Sequence, residues 1–133
     1  MLQSLAAMFV LTSPAFHNGG MIPARYTCDG ADVSPALHWT APPAGTAAFS
    51  LTVFDPDAPG GGFLHWRIPH LAGSSRNLPA GSRLGGSNGA GRPGYTGPCP
   101  PSGTHHYRFE LRALSRSGKV LATARLVGLY RRG

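Results

Sequence analysis

Between Ala48 and Asp55, the apolar residues Phe49, Leu51 and Val53 alternate with Ser50 and Thr52. Successive side chains of a strand point to opposite faces, so this period of two predicts a half-buried strand that ends at Asp55-Pro56. The alternation is clearest from Tyr107 to Leu114, where Tyr107, Phe109, Leu111 and Ala113 share one face and Arg108, Glu110 and Arg112 the other. Carried backward, the parity puts His105 on the Tyr107 face and His106 with the arginines. Shorter runs bounded by Gly, Pro, Asp or Ser predict strands at Met8 to Thr12, Leu37 to Thr40, Leu64 to Ile68 and Val120 to Tyr130. In the last of these, Ala122 and Ala124 stand among Val120, Thr123 and Val127, so propensity leaves a helix open while favouring a strand. No long amphipathic helix is visible, and the longest irregular stretch lies between Ala72 and Thr104. With no repeat or linker, residues 1–133 read as one mainly β domain.

Composition sharpens this picture in three ways. The 19 glycines and 13 prolines fall between the hydrophobic runs, which means many turns and not a disordered tract. The net charge of +7 comes from 12 Lys and Arg against five acids, with Lys119 the sole lysine. These cations are dispersed from Arg25 to Arg132, without the basic stripe and interleaved aromatics of a nucleic-acid groove, so no nucleic-acid partner is expected. The apolar run Leu5 to Leu11 is too short to span a bilayer, and no Lys or Arg precedes it to make a signal-peptide head. The expectation is a cytoplasmic protein without an integral membrane segment. Cys28 and Cys99 have no metal-site spacing and read as two reduced thiols, and no metal or cofactor is expected.

Candidate chemistry gathers at three places. Asp55-Pro56-Asp57-Ala58-Pro59-Gly60 sets two carboxylates two positions apart at a strand end. Both could face inward with Phe49, Leu51 and Val53, or they could cap their own backbone in an Asp-Pro turn. A short loop later comes His65, in Phe63-Leu64-His65-Trp66, which could return beside the first strand to meet Asp55 or Asp57. A carboxylate there would favour its imidazolium, whereas a lone strand histidine is more often a hydrogen-bonded core residue. The third place is Gly94-Tyr95-Thr96-Gly97-Pro98-Cys99-Pro100-Pro101, followed by His105-His106-Tyr107. Its prolines stiffen a loop, and Gly97 allows close backbone approach to a ligand.

In their order and spacing, these three segments resemble the phosphatidylethanolamine-binding protein family, close to its bacterial Raf-kinase-inhibitor-like branch. Further matches are Ser13-Pro14-Ala15-Phe16, Tyr26-Thr27-Cys28-Asp29-Gly30, Ser34-Pro35-Ala36-Leu37-His38-Trp39, Asn88 with Gly91, and Gly128-Leu129-Tyr130, so the resemblance covers nearly the whole chain. It implies a large central antiparallel sheet packed on a smaller sheet, few short helices, and a shallow pocket for phosphate-like groups. Carried over residue by residue, the pocket would use Asp55, Asp57, His65, Gly97, Pro98, Pro101, His105 and Tyr107. The same pattern places Cys28 and Cys99 near the pocket rim, where a disulfide requires Cα atoms within about 7 Å.

The chain also departs from that pattern. His106 stands where the family has an arginine, which would weaken support behind the pocket. Arg67 and Pro69 fall where strand hydrophobics are usual in the family; because proline cannot donate to a ladder, this strand should lie at an edge or bulge near Pro69. Between Leu114 and Val120, bacterial relatives carry about twenty more residues including a helix, as the resemblance implies. Only Ser115-Arg116-Ser117-Gly118-Lys119 remains here, suited to a hairpin through Ser117-Gly118. The trimmed flank would be exposed or covered by a partner, such as a second copy in a homodimer.

The expected function is a binding module for phosphate or a phospholipid head group, acting as a regulator if it also binds a kinase or another protein partner. A dianion would be repelled by Asp55 and Asp57, so a monoanion or zwitterion suits the site better, and affinity should fall as pH rises through the titration of His65 and His105. The alternative is a hydrolase or transferase using Asp55 or Asp57 as base with His65 or His105 as acid. Cys99 is the only nucleophile at hand for such chemistry, and catalysis is not expected.

Overall fold

A computed structural model describes residues 8–133. Among them are seven strands: β1 (Leu11–Thr12), β2 (Leu37–Trp39), β3 (Ala48–Asp55), β4 (Phe63–Ala72), β5 (Asn77–Leu78), β6 (Gly103–Leu114) and β7 (Val120–Arg132). The only helical element among the described residues is a three-residue 3-10 turn, Ala24–Tyr26. β4, β3, β6 and β7 form a four-stranded antiparallel sheet in that order, and β1, β2 and β5 a three-stranded one.

The period-two pattern of β3 and β6 generates the core directly. Phe49, Leu51 and Val53 from β3 and Tyr107, Phe109, Leu111 and Ala113 from β6 are all buried on one face of the large sheet. Leu37 and Trp39 of β2 and Leu78 of β5 close over them from the small sheet, with the Trp39 and Phe49 rings edge-on at 5.6 Å. Among the described residues, the opposite face of the large sheet has no such cover and carries the polar set Arg108, Glu110 and Arg112.

The Val120 segment is a strand, antiparallel to β6 along its length, so burial of Ala124 and Leu126 settles what propensity left open. The turn between them closes through Ser115 N–H, which donates to the Lys119 carbonyl, and Gly118, at φ +85°, as expected of a Ser-Gly hairpin. β4 is longer than the Leu64 to Ile68 run and continues through Pro69 to Ala72. It does so because it is an edge strand with a register shift: Phe49 faces Leu71 and Leu51 faces Ile68, leaving Pro69 and His70 opposite Ser50 alone. Pro69 thus has no ladder partner to lose.

The segment between Ala72 and Thr104 is not wholly irregular, since β5 interrupts it. Its later part lies along β4, where Gly86, Gly89 and Thr96 N–H donate to the carbonyls of Arg67, Leu64 and His65. Of the Met8 to Thr12 strand only Leu11–Thr12 is assigned, although Val10 and Thr40 still bond each other. The apolar run from Leu5 lies partly outside the described residues. No helix among them is long and apolar enough to cross a membrane.

Candidate functional site

The end of β3, the start of β4 and the start of β6 meet at one end of the large sheet. There a cavity of about 300 Å³ is lined by Asp55, Phe63, His65, Gly97, Cys99, Pro101, His105 and Tyr107, with Ala58, Pro59, Thr96 and Pro100 filling its wall. Asp55, His65 and His105 are buried, and Tyr107 fully so. Of the eight residues singled out from sequence, the fold brings six together here, while Asp57 and Pro98 lie off the cavity wall.

Asp55 uses both oxygens. Oδ1 accepts the Asp57 N–H at 2.8 Å, and Oδ2 is 2.6 Å from His105 Nδ1. The turn-capping and pocket-facing alternatives are therefore both realised by one carboxylate. Asp57 is different: β3 ends at Asp55, and the turn that follows breaks the parity that would have carried Asp57 inward. Its Oδ2 instead accepts the His106 N–H at 2.8 Å and lies 2.7 Å from His106 Nδ1 on the outer face. Those two contacts, the side-chain one foremost, hold the Asp57 carboxyl below its usual pKa. His106, which stands where the resemblance implies an arginine, thus has an acid partner of its own in Asp57.

His65 does not pair with a carboxylate. Its Nδ1 lies 2.6 Å from the Thr96 carbonyl, which can only accept, so Nδ1 carries a proton and the neutral ring presents the Nε2 lone pair. Burial pushes its pKa down and outweighs the opposing pull of the Thr96 bond and of Asp55, so the imidazolium expected from sequence is disfavoured. The ring stands between Phe63, at 4.6 Å, and Tyr107, at 5.2 Å between centroids. Tyr107 Oη is buried and has no hydrogen-bond partner among the described residues. Burial, with Asp55 next, raises its pKa well above that of an ordinary phenol, so it is a neutral donor.

Gly97 is explained by a neighbouring loop more than by a ligand. A Cβ there would sit 2.2 Å from Asp32 Oδ1 and 2.4 Å from the Tyr26 carbonyl, while its N–H donates to Asp32 Oδ1 at 2.8 Å. Tyr95 Oη donates to the Tyr26 carbonyl, and Cys28 N–H donates to the buried Pro98 carbonyl. Cys28 and Cys99, expected as free thiols, form a disulfide with Cα atoms 5.4 Å apart. These three hydrogen bonds hold the two turns face to face, which sequence spacing could not reveal.

Asp32, Asn88 and Thr96 are positioning residues that were not expected among the pocket residues, although Asn88 and Thr96 lie in segments that carry the resemblance. Asn88, buried, donates to the Gly94 carbonyl and to Thr96 Oγ1 and accepts the Ala90 N–H. A buried asparagine amid glycines was the available signal, since such a side chain must find partners. Among the described residues, no group of three or more His, Cys, Asp or Glu is arranged to hold a metal ion.

The model of the phosphatidylethanolamine-binding protein family matches residues 12–131. The chain belongs to that family. Among its relatives is a UPF0098 protein of Methanothermobacter thermautotrophicus, 41% identical over 149 aligned positions that cover 92% of this chain and 99% of the relative. That alignment is longer than this whole chain, so the relative carries residues with no counterpart here. A crystal structure of a phosphatidylethanolamine-binding protein homologue from Chlamydia trachomatis superposes with a TM-score of 0.87 at 33% identity, covering 94% of this chain and 98% of that one. A Mycobacterium tuberculosis protein named a lipoprotein, LppC, is 45% identical over 112 residues, covering 80% of this chain and 55% of its own.

Proposed function

We propose that the pocket binds a singly protonated phosphoryl group, as found on free phosphate or on a phosphomonoester head group. The observation that carries this reading is the hydroxyl of Tyr107, buried and without a partner among the described residues, on a side chain that lines the cavity. An orphaned buried donor costs about 1–3 kcal/mol, and a ligand oxygen is the natural group to satisfy it. The anionic oxygens would accept from Tyr107 and from Nε2 of His105, whose Nδ1 is held by Asp55. The remaining P–OH would donate to the Nε2 lone pair of His65. A dianion lacks that proton and would face Asp55, so the monoanion is preferred. Regulation of a protein partner such as a kinase would act through occupancy of this same pocket.

The acid–base catalytic alternative is supported less well. Asp57 faces away from the cavity, and Cys99, the one nucleophile the sequence places beside His105, is bonded to Cys28. The bridge also supports an oxidising compartment over the cytoplasm. Thiol trapping in intact cells separates the two: a bridged pair agrees with this placement and free thiols refute it.

Calorimetry with phosphate and phosphoethanolamine at pH 6 tests the pocket. Tyr107→Phe should weaken binding by about tenfold, as loss of one hydrogen bond to a charged group implies. Undiminished affinity in this variant would remove the observation on which the reading rests.

A further inference from the structure

We propose that the Cys28–Cys99 bridge is a thiol–disulfide exchange site, at which a small thiol attacks Cys28 and Cys99 departs as a thiolate held by Arg132. The bridge joins residues 71 apart in sequence, yet both of its cysteines are exposed. Accessible disulfides are the ones that exchange, since the attacking thiolate must reach the sulfur in line. Cys99 follows Pro98 and precedes Pro100 and lines the cavity, whereas Cys28 is exposed on the facing turn and lies outside that lining.

The two sulfurs are not equivalent. Arg132 Nη1 lies 3.3 Å from Cys99 Sγ, whereas Cys28 Sγ has no hydrogen-bond or ion-pair partner among the described residues. A guanidinium beside a sulfur favours its thiolate, and the thiol that holds its charge more readily is the better leaving group. The opposing charge nearby is Asp29, whose Oδ2 accepts the Tyr130 hydroxyl at 2.6 Å and lies 3.4 Å from Arg132 Nε. It is thus engaged by its own partners and orients Arg132 toward Cys99. The titratable groups lining the same cavity as Cys99 are Asp55 and His105, which are paired with each other, His65, whose Nδ1 is bonded to the Thr96 carbonyl, and Tyr107, a neutral phenol.

In the first step the lone pair of the incoming thiolate forms a bond to Cys28 Sγ while the Cys28–Cys99 bond breaks, leaving its electron pair on Cys99. A second thiolate then attacks the external sulfur of the mixed disulfide. Cys28 leaves, takes a proton from water, and a small symmetric disulfide is released. Two thiols are oxidised, and the protein bridge is reduced by the two electrons. The rim need not open for this, because Tyr95 Oη to Tyr26, Gly97 N–H to Asp32 and Cys28 N–H to Pro98 still join the two turns.

Incubation with reduced glutathione, alkylation at timed intervals and peptide mass mapping test the assignment. The glutathione adduct should appear on Cys28, with Cys99 alkylated. Arg132→Gln should slow adduct formation by at least about threefold at neutral pH through the poorer leaving group, and Arg132→Lys should stay near the wild-type rate. A loosened Arg132→Gln fold would exchange faster, so slowing cannot be mistaken for misfolding. In Cys28→Ser, Cys99 alkylation should reach half its maximal rate below the ordinary thiol pKa of about 8.5, returning to it when Arg132→Gln is added. An adduct on Cys99, or an Arg132→Gln rate equal to or above wild type, overturns the proposal.

Discussion

Two aspartate–histidine pairs are built from neighbouring residues at one end of the large sheet, and they point in opposite directions. Asp55 with His105 and Asp57 with His106 have nearly the same contact, Nδ1 to Oδ2 at 2.6 and 2.7 Å. In the first pair the histidine and aspartate side chains are 10% and 4% exposed, and in the second 55% and 39%. The strand parity of β6 separates His105 from His106, and the end of β3 separates Asp55 from Asp57. Identical chemistry therefore carries different weight. Inside, each charge depends on its partner because water cannot replace it; outside, water and salt compete for both.

Removing one partner from each pair should expose that difference. Asp55→Ala leaves His105 buried without its acceptor and frees the Asp57 N–H, and loss of one member of a buried pair costs about 3–5 kcal/mol. Urea denaturation should show a loss of that order, together with loss of phosphate binding. A cost under about 1 kcal/mol would mean that water already reaches the inner pair.

The second test uses His65, which is buried like His105 but has a carbonyl in place of a carboxylate. Its folded-state pKa lies below the unfolded value of about 6.5, so the unfolded chain takes up this proton first as pH falls. The stability held by neutral His65 is full above about pH 6.5 and is lost as pH drops through the lower folded value. Denaturation midpoints between pH 7.5 and 5 should fall, and fall less steeply in His65→Asn, whose amide can still donate to Thr96. Equal slopes in the two proteins would show that His65 is not the group responsible.

The smallest effect belongs to the outer pair. Asp57→Ala should change stability by no more than about 1 kcal/mol, with the difference shrinking in high salt. It should leave phosphate affinity within about twofold, since the tenfold change of a lost contact corresponds to about 1.4 kcal/mol. A large drop in affinity would place Asp57 in the pocket after all.

Much of this architecture follows from local rules. Alternation at Phe49, Leu51 and Val53 and at Tyr107, Phe109 and Leu111 specified the two central strands, because only one face of each could be buried. Pro69 announced an edge and a bulge because it lacks an N–H, and Ser117-Gly118 announced the hairpin because glycine tolerates positive φ. The same parity set His105 beside Tyr107. Where a strand stops, parity stops as well, and so Asp57 was assigned to a pocket it does not face. Partners distant in sequence were decided only by packing. His105, not His65, meets Asp55 because β3 and β6 are adjacent in the sheet, and the Thr96 loop reaches His65 first along the β4 edge. Cys28 finds Cys99 because Asp32, Tyr26 and Pro98 clamp two turns together. Such pairings depend on where separate segments arrive in space, whereas alternation and turn chemistry act between residues a few positions apart.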